Sequence, residues 1–193
     1  MPGVKRSMMM AAGSAAAGGG EPGLNVEEVF CTTVYNGNGG PLTITNNIDL
    51  AGEGGMVWTK QRNSDYTNNL ICDTVRGRAL TLVANNTAVA HISPANYDYK
   101  SFNSDGYTIG TPYNMNLAHS NGSPYVNWTF REAPGFFDIV TYTGNSTGTG
   151  SQNIAHSLDS QIGFLAVRRL DAIGDWYCQW GTSPDHYYKL NST

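Results

Sequence analysis

Two carboxylates held on one face of a β-sheet would be enough for glycoside hydrolysis. One protonates the leaving oxygen, the other attacks or activates water, and the two stand about 5 Å or about 6.5–9.5 Å apart. On a strand such groups alternate, as in E-x-D-x-x-E, and the 193-residue sequence contains no such run. The acidic groups on apolar segments stand alone: Glu132 sits just before Ala133-Pro134, and Asp138 lies within Phe-Phe-Asp-Ile-Val. His91, His119, His156 and His186 are far apart and beside loop-forming residues, so they read as loop histidines rather than as a zinc or general-base set. Cys31, Cys72 and Cys178 show neither CxxC nor a Cys/His zinc spacing, and read as buried thiols. Asn103-Ser104-Asp105-Gly106 is too short for a calcium loop. The expectation is a chain without catalytic residues, metal or cofactor, and not an enzyme.

Binding chemistry has better material. Tyr97, Tyr99, Tyr107 and Tyr113 gather around Asp105-Gly106 in polar surroundings, where aromatic faces could stack on sugar rings or pack on a sheet edge or another subunit. Asn25 can cap a short helix with Glu28 at its third position, leaving Val26, Val29 and Phe30 as an apolar face. Ahead of it runs MPGVKRSMMMAAGSAAAGGG, only superficially like a secretion signal. Residues 1–30 are therefore expected to form an anchoring arm of small residues, lying close against another protein, with Val26, Val29 and Phe30 as its contacts; a disordered leader is the other reading. Arg168-Arg169 could pair with acidic groups of a partner. Asn85, Asn121, Asn127, Asn145 and Asn191 each begin N-x-[ST], as a composition rich in these residues produces.

The elements that must position these groups are strands. Charged residues are only 13% of the chain, glycine accounts for 23 residues, and the net charge is −4, so no basic surface is offered to nucleic acid. No apolar run is long enough to span a membrane. From Cys31 onward, short β-branched and aromatic runs alternate with Gly, Asn, Asp and Pro. Strands are predicted at 31–35, 42–44, 56–62, 70–75, 80–84, 125–131, 136–142, 164–169 and 176–180, with a hairpin turning at Asp105-Gly106. In YVNWTFR, Val126, Trp128 and Phe130 fall on one face, predicted to be core, and Tyr125, Asn127, Thr129 and Arg131 on the other, predicted to be wet. The fold class is all-β: an antiparallel β-sandwich, most simply a jelly roll.

The sequence also repeats. VYNGN at 34–38 returns as TYTGN at 141–145, 107 residues on; GMVWTKQR at 55–62 returns as GFLAVRR at 163–169; Cys72 matches Cys178 and NNT at 85–87 matches NST at 191–193, both 106 residues on. The division this suggests is an arm at 1–30, a sandwich unit at 31–138, and a partial second copy at 139–193. The second copy has no counterpart of YVNWTFREAP, so the expectation is either a longer natural chain or completion by a neighbouring subunit.

VYNGNGG, NNIDLAGEGGMVWTKQR, DTVRG, SFNSDGYTIG, YVNWTFREAPGFFDIVTYTGN and HSLDSQIGFLAVRR, in this order, resemble a module of tail and tail-fibre proteins of marine bacteriophages, particularly those of cyanobacteria, over roughly residues 29–193. The resemblance implies a concanavalin-A-like jelly roll and a place in the virion tail, assembled in the bacterial host cytoplasm. It also implies homotrimers, contacts with other tail proteins such as an adaptor or nozzle, and attachment to host-surface glycans. It supplies no catalytic residues, and HSLDSQIG departs from the Gly- and Pro-shaped turn of that family. The expected function is a virion structural protein, the N-terminal part of a tail fibre or tail-tip component; the alternative is a carbohydrate-binding module.

Overall fold

The computed structural model describes residues 4–12, 23–64, 67–93, 97–111, 121–145, 150–181 and 186–192. Among these, the alternating runs build β1 (Lys5–Ala12), β2 (Phe30–Asn36), β3 (Leu42–Thr45), β4 (Gly55–Gln61), β5 (Leu70–Asp73), β6 (Leu80–Val83), β7 (His91–Ile92), β8 (Tyr99–Asn103), β9 (Gly106–Ile109), β10 (Pro124–Arg131), β11 (Phe137–Thr143), β12 (Ile162–Arg169), β13 (Trp176–Trp180) and β14 (Tyr188–Lys189). Two one-turn helices, α1 (Val26–Val29) and α2 (Leu50–Glu53), start at Asn25 and Asp49. Each cap side chain accepts a backbone N–H that the first turn leaves unpaired.

The strands form three antiparallel sheets: a middle one ordered β2-β10-β4-β5-β6-β7, an outer one ordered β11-β1-β12-β13-β14, and a small one ordered β3-β9-β8. Side chains alternate across the middle sheet, and both faces are buried. Val57, Leu70, Cys72 and Val83 pack against Ile44, Tyr99, Tyr107 and Ile109 of the small sheet. Met56, Ile71 and Leu82 pack against Met9, Phe137, Ile139, Ala166, Trp176 and Cys178 of the outer sheet. The fold is thus all-β, with antiparallel sheets packed as a sandwich, as expected. Cys72 and Cys178 are buried free thiols and Cys31 is partly buried; burial pushes the Cys72 thiol up.

The repeat reappears as register. Phe30, Phe130 and Met56 stand in one row of the middle sheet, and Phe137, Ala11 and Phe164 in the corresponding row of the outer sheet. Two residues along, Thr32, Trp128 and Trp58 correspond to Ile139, Met9 and Ala166. Further on, Tyr35, Tyr125 and Gln61 correspond to Tyr142, Arg6 and Arg169. The next strands keep step, except that Cys178, opposite Ala166, takes the place of Ile71 rather than of Cys72. After them, Asn85 accepts the Asn69 N–H at 2.8 Å as Asn191 accepts the Trp176 N–H at 2.7 Å.

Three expectations are corrected. Residues 5–12, expected as part of an arm lying against another protein, pack within their own chain. They are β1, seated between β11 and β12 in the slot that β10 fills between β2 and β4. The second copy therefore receives its missing strand from the other end of the chain, which removes two unpaired edges. Segments 1–30, 31–138 and 139–193 do not correspond to separate bodies, because Met9, Met56, Ile71, Phe137 and Trp176 share one core.

On β10, Asn127 and Thr129 lie on the deeper face and are fully buried under the small sheet. Asn127 donates to the Tyr107 hydroxyl, and Asn46 donates to Thr129 Oγ1 at 2.9 Å. Paired polar groups carry little burial penalty, so polarity did not mark the wet face. The hairpin turns one residue earlier than expected, with Asn103 opposite Gly106. Gly106, at φ +148°, serves close approach: a Cβ there would stand 2.1 Å from the Ile44 carbonyl oxygen.

Candidate functional site

Of the four tyrosines expected to stack on sugars, Tyr99 and Tyr107 are 0% exposed, with ring centroids 6.2 Å apart in the core beneath the small sheet. The Tyr99 hydroxyl bonds Thr59 Oγ1 at 2.5 Å, and burial holds the hydroxyls of both tyrosines well above the usual phenol range. They are packing residues, and the stacking expectation is corrected for them. Tyr97 is half-buried in a single bridge with Thr111. Tyr113 and His119 lie outside the described residues.

The expected anchoring face also divides. Val26 is exposed, but Val29 is buried, and Phe30 leaves the helix for an extended backbone at φ −143° and packs on Phe130 at 4.9 Å. A helix of one turn cannot hold all three on one free face, so Val29 and Phe30 are corrected to internal contacts. Arg168 is likewise not free for an acidic partner: it is fully buried and its guanidinium donates to the carbonyls of Asn86, Ala88 and Gly174, tying the outer sheet to the loop after β6. Arg169 pairs with Asp171 at 2.7 Å.

Exposed aromatic surface collects instead on β13 and β14. Trp180 is 65% exposed, with its ring 4.6 Å from Phe164. Tyr177 and Tyr187 meet edge to face at 5.3 Å, and both are exposed, as is Tyr188. Polar groups stand among them. Lys189 Nζ is 2.8 Å from Asp175 Oδ2, and Asn191 Nδ2 donates to Asp175 Oδ1 at 2.9 Å. The Lys189 and Asn191 hydrogen bonds hold the Asp175 carboxyl below its usual range. Arg6, Val167, Arg169, Gly174, Asp175 and Tyr177 line a hollow of about 260 Å³ beside this rim. Strand pairing puts Tyr177, Tyr187 and Lys189 on one face of the sheet and Trp180 and Tyr188 on the other; the first face offers aromatic rings next to paired charges, the chemistry of a protein contact or of a sugar-binding platform.

Residues 26–136 match a family model described as a domain of unknown function, DUF7483. The chain belongs to this family. No curated protein and no solved structure matches it. The DUF7483 region runs from α1 to the residue before β11 and so contains the middle and small sheets. The aromatic rim and every strand of the outer sheet lie outside it.

At the boundary of the DUF7483 region stands Glu132, between β10 and β11. Its Oε1 accepts the Ile139 N–H at 3.1 Å. Burial, with the Asp138 charge second, raises its carboxyl to about 7. Asp138 in turn accepts the Ser157 N–H at 2.5 Å. Both carboxylates that stood out in the sequence therefore hold backbone at the junction of the two units. Among the described residues no three His, Cys, Asp or Glu side chains come together as a metal site, and no helix is long and apolar enough to cross a membrane.

The rim was missed because Trp176–Trp180 reads as an ordinary core strand. Its alternation does bury Trp176 and Cys178. The available signal was aromatic density, since Tyr177, Trp180, Tyr187 and Tyr188 fall within twelve positions.

Proposed function

We propose that this protein is a virion structural protein of a bacteriophage tail fibre or tail tip, working by contact with other tail proteins and supporting host adsorption. The observation that carries the reading is exposed aromatic surface at the β13–β14 end of the outer sheet, with Tyr177 and Tyr187 on one face and Trp180 and Tyr188 on the other, of the kind that marks protein contact. The sequence resemblance to phage tail modules supplies the setting, and two tandem sheet units tied by one strand suit a rigid spacer. A homotrimer, as in fibres of this type, is the assembly expected with it. The test is labelling of intact virions with an antibody against the purified chain: decoration of the tail is expected, and virions that neither label nor yield its peptides on mass spectrometry overturn the reading.

The same rim favours a second reading, recognition of host-surface glycans, because Asp175, Arg169 and Lys189 border the aromatic faces as hydrogen-bonding groups. Here the purified chain should bind a glycan array and Tyr177→Ala, on the face that carries Arg169 and Lys189, should weaken binding at least about tenfold, given about 1.4 kcal/mol for the stacked ring. A chain that binds no glycan leaves only the structural reading.

A further inference from the structure

The sequence contains the pairs Asn36-Gly37, Asn38-Gly39 and Asn121-Gly122, and we propose that the second of these is a self-modification site, at which the folded chain converts Asn38 to aspartyl and isoaspartyl forms. The chemistry is attack of a backbone nitrogen on a side-chain amide. It needs a glycine nitrogen free to lose its proton, an amide carbon held beside it, and a donor for the charge that grows on the amide oxygen. In each pair the glycine lacks a side chain that would shield the nitrogen. The fold separates them.

Two of the pairs are closed where the loop after β2 runs beside the approach to β10. The Gly37 N–H donates to the Ser123 carbonyl at 2.9 Å, and the Gly122 N–H donates to the Gly37 carbonyl at 2.8 Å. Gly37 is buried as well. Neither nitrogen can be deprotonated unless this contact first opens. Gly39, further along the same loop, differs: it is exposed, and among the described residues its N–H donates to no acceptor.

Asn38 is exposed too, and its amide is held at both ends. Oδ1 accepts the Gly40 N–H at 2.9 Å, and Nδ2 donates to the Pro41 carbonyl at 3.2 Å. The first bond closes a turn that folds the side chain back over the next peptide and brings Cγ beside the Gly39 nitrogen. Gly39, at φ +74°, supplies the backbone shape this requires. The same bond sets a backbone donor on the oxygen that becomes negative, as an oxyanion hole does.

The step balances without any oxidant or reductant. Hydroxide takes the Gly39 proton, the nitrogen bonds to Asn38 Cγ, the Cγ–Nδ2 bond breaks, and Nδ2 leaves as ammonia. Water then opens the resulting five-membered imide at either carbonyl. One opening restores the normal backbone with a carboxylate on the side chain, and the other routes the backbone through that side chain. In both, the donor to Pro41 is gone, so the link from β2 to β3 loses a tie.

The test uses the whole chain, incubated in mildly alkaline buffer both folded and in urea, with each asparagine followed by tandem mass spectrometry of its peptide. In the folded chain Asn38 should exchange its amide for a carboxyl at least about tenfold faster than Asn36 and Asn121, and in urea the three rates should converge. The folded chain carrying Asn38→Ala should leave the peptide that spans residues 36–40 unmodified over the same period. Folded-state rates at Asn36 or Asn121 that match the rate at Asn38 overturn the proposal. So does an Asn38 that reacts more slowly folded than in urea, because the turn would then protect the amide instead of presenting it.

Discussion

In the middle sheet the slot beside β4 is filled by β10, whose buried face carries Asn127 and Thr129, each bonded to a named partner under the small sheet. In the outer sheet the same slot is filled by β1, whose outward face carries Met8 and Met10 against Leu158, Val140, Leu165 and Val167. The first unit is held by a hydrogen-bonded polar network beneath a third layer. The second is held by flexible apolar side chains, and no third sheet covers it among the described residues. One pattern of strands therefore tolerates two kinds of cement, provided that the slot is occupied and its backbone edges are paired.

The comparison breaks most readily at its centre. Met10 is 0% exposed, and Met10→Ala should cost about 2–5 kcal/mol by urea denaturation. Thr129→Val, at the corresponding row, leaves Asn46 without its acceptor and should cost about 1–3 kcal/mol. If the Thr129 change costs more, the polar network and not the apolar strand dominates, and the contrast between the units is reversed.

The junction gives the next effect. The folded Glu132 carboxyl keeps its proton up to about 7, whereas the unfolded one releases it near 4.5. The folded state thus binds more protons between these values, and stability falls as pH rises through that window. Glu132→Gln keeps the acceptor for Ile139 and removes the charge. It should leave Tm unchanged near pH 4 and raise stability at pH 8 by about 1–2 kcal/mol, a figure discounted because the group is partly solvated. An equal change at both pH values would show that the titration plays no part.

The smallest effect tests the equivalence of the two meanders. Asn85→Ala and Asn191→Ala each remove one acceptor for a backbone N–H, and should each cost about 1 kcal/mol by thermal unfolding. A loss confined to Asn85 would sharpen the contrast, making the second meander the looser copy.

Much of the fold was legible. Runs such as YVNWTFR and GFLAVRR carry their strand period openly, and the Tyr35 to Tyr142 offset survives intact in the register. Strand β1 was not legible, because Met-Met-Met flanked by alanine has weak strand preference and is ordered by edges that lie far along the chain. Tyr99 and Tyr107 were misplaced for a related reason: neighbours such as Asp98, Asp105 and Gly106 signal turns, yet the rings themselves close the core. Of the sites, the carboxylates were legible as isolated groups, but the exposed aromatics were not, since the alternation of β13 assigns Trp176, Cys178 and Trp180 to one face and does not say that only the first two are covered.

Strand β1 also sets the order in which the molecule can be completed on the ribosome. It is made before β2–β14, yet Lys5 pairs with Thr143 and Met9 with Ala166. Domains generally fold as they emerge, so the middle and small sheets can close while β1 is still waiting for both of its neighbours. Closing so long a loop is slow. Residues 5–12 leave the ribosome well before the strands that receive them and are among the last to reach their native place, and the newborn chain carries an apolar strand without a sheet throughout that interval.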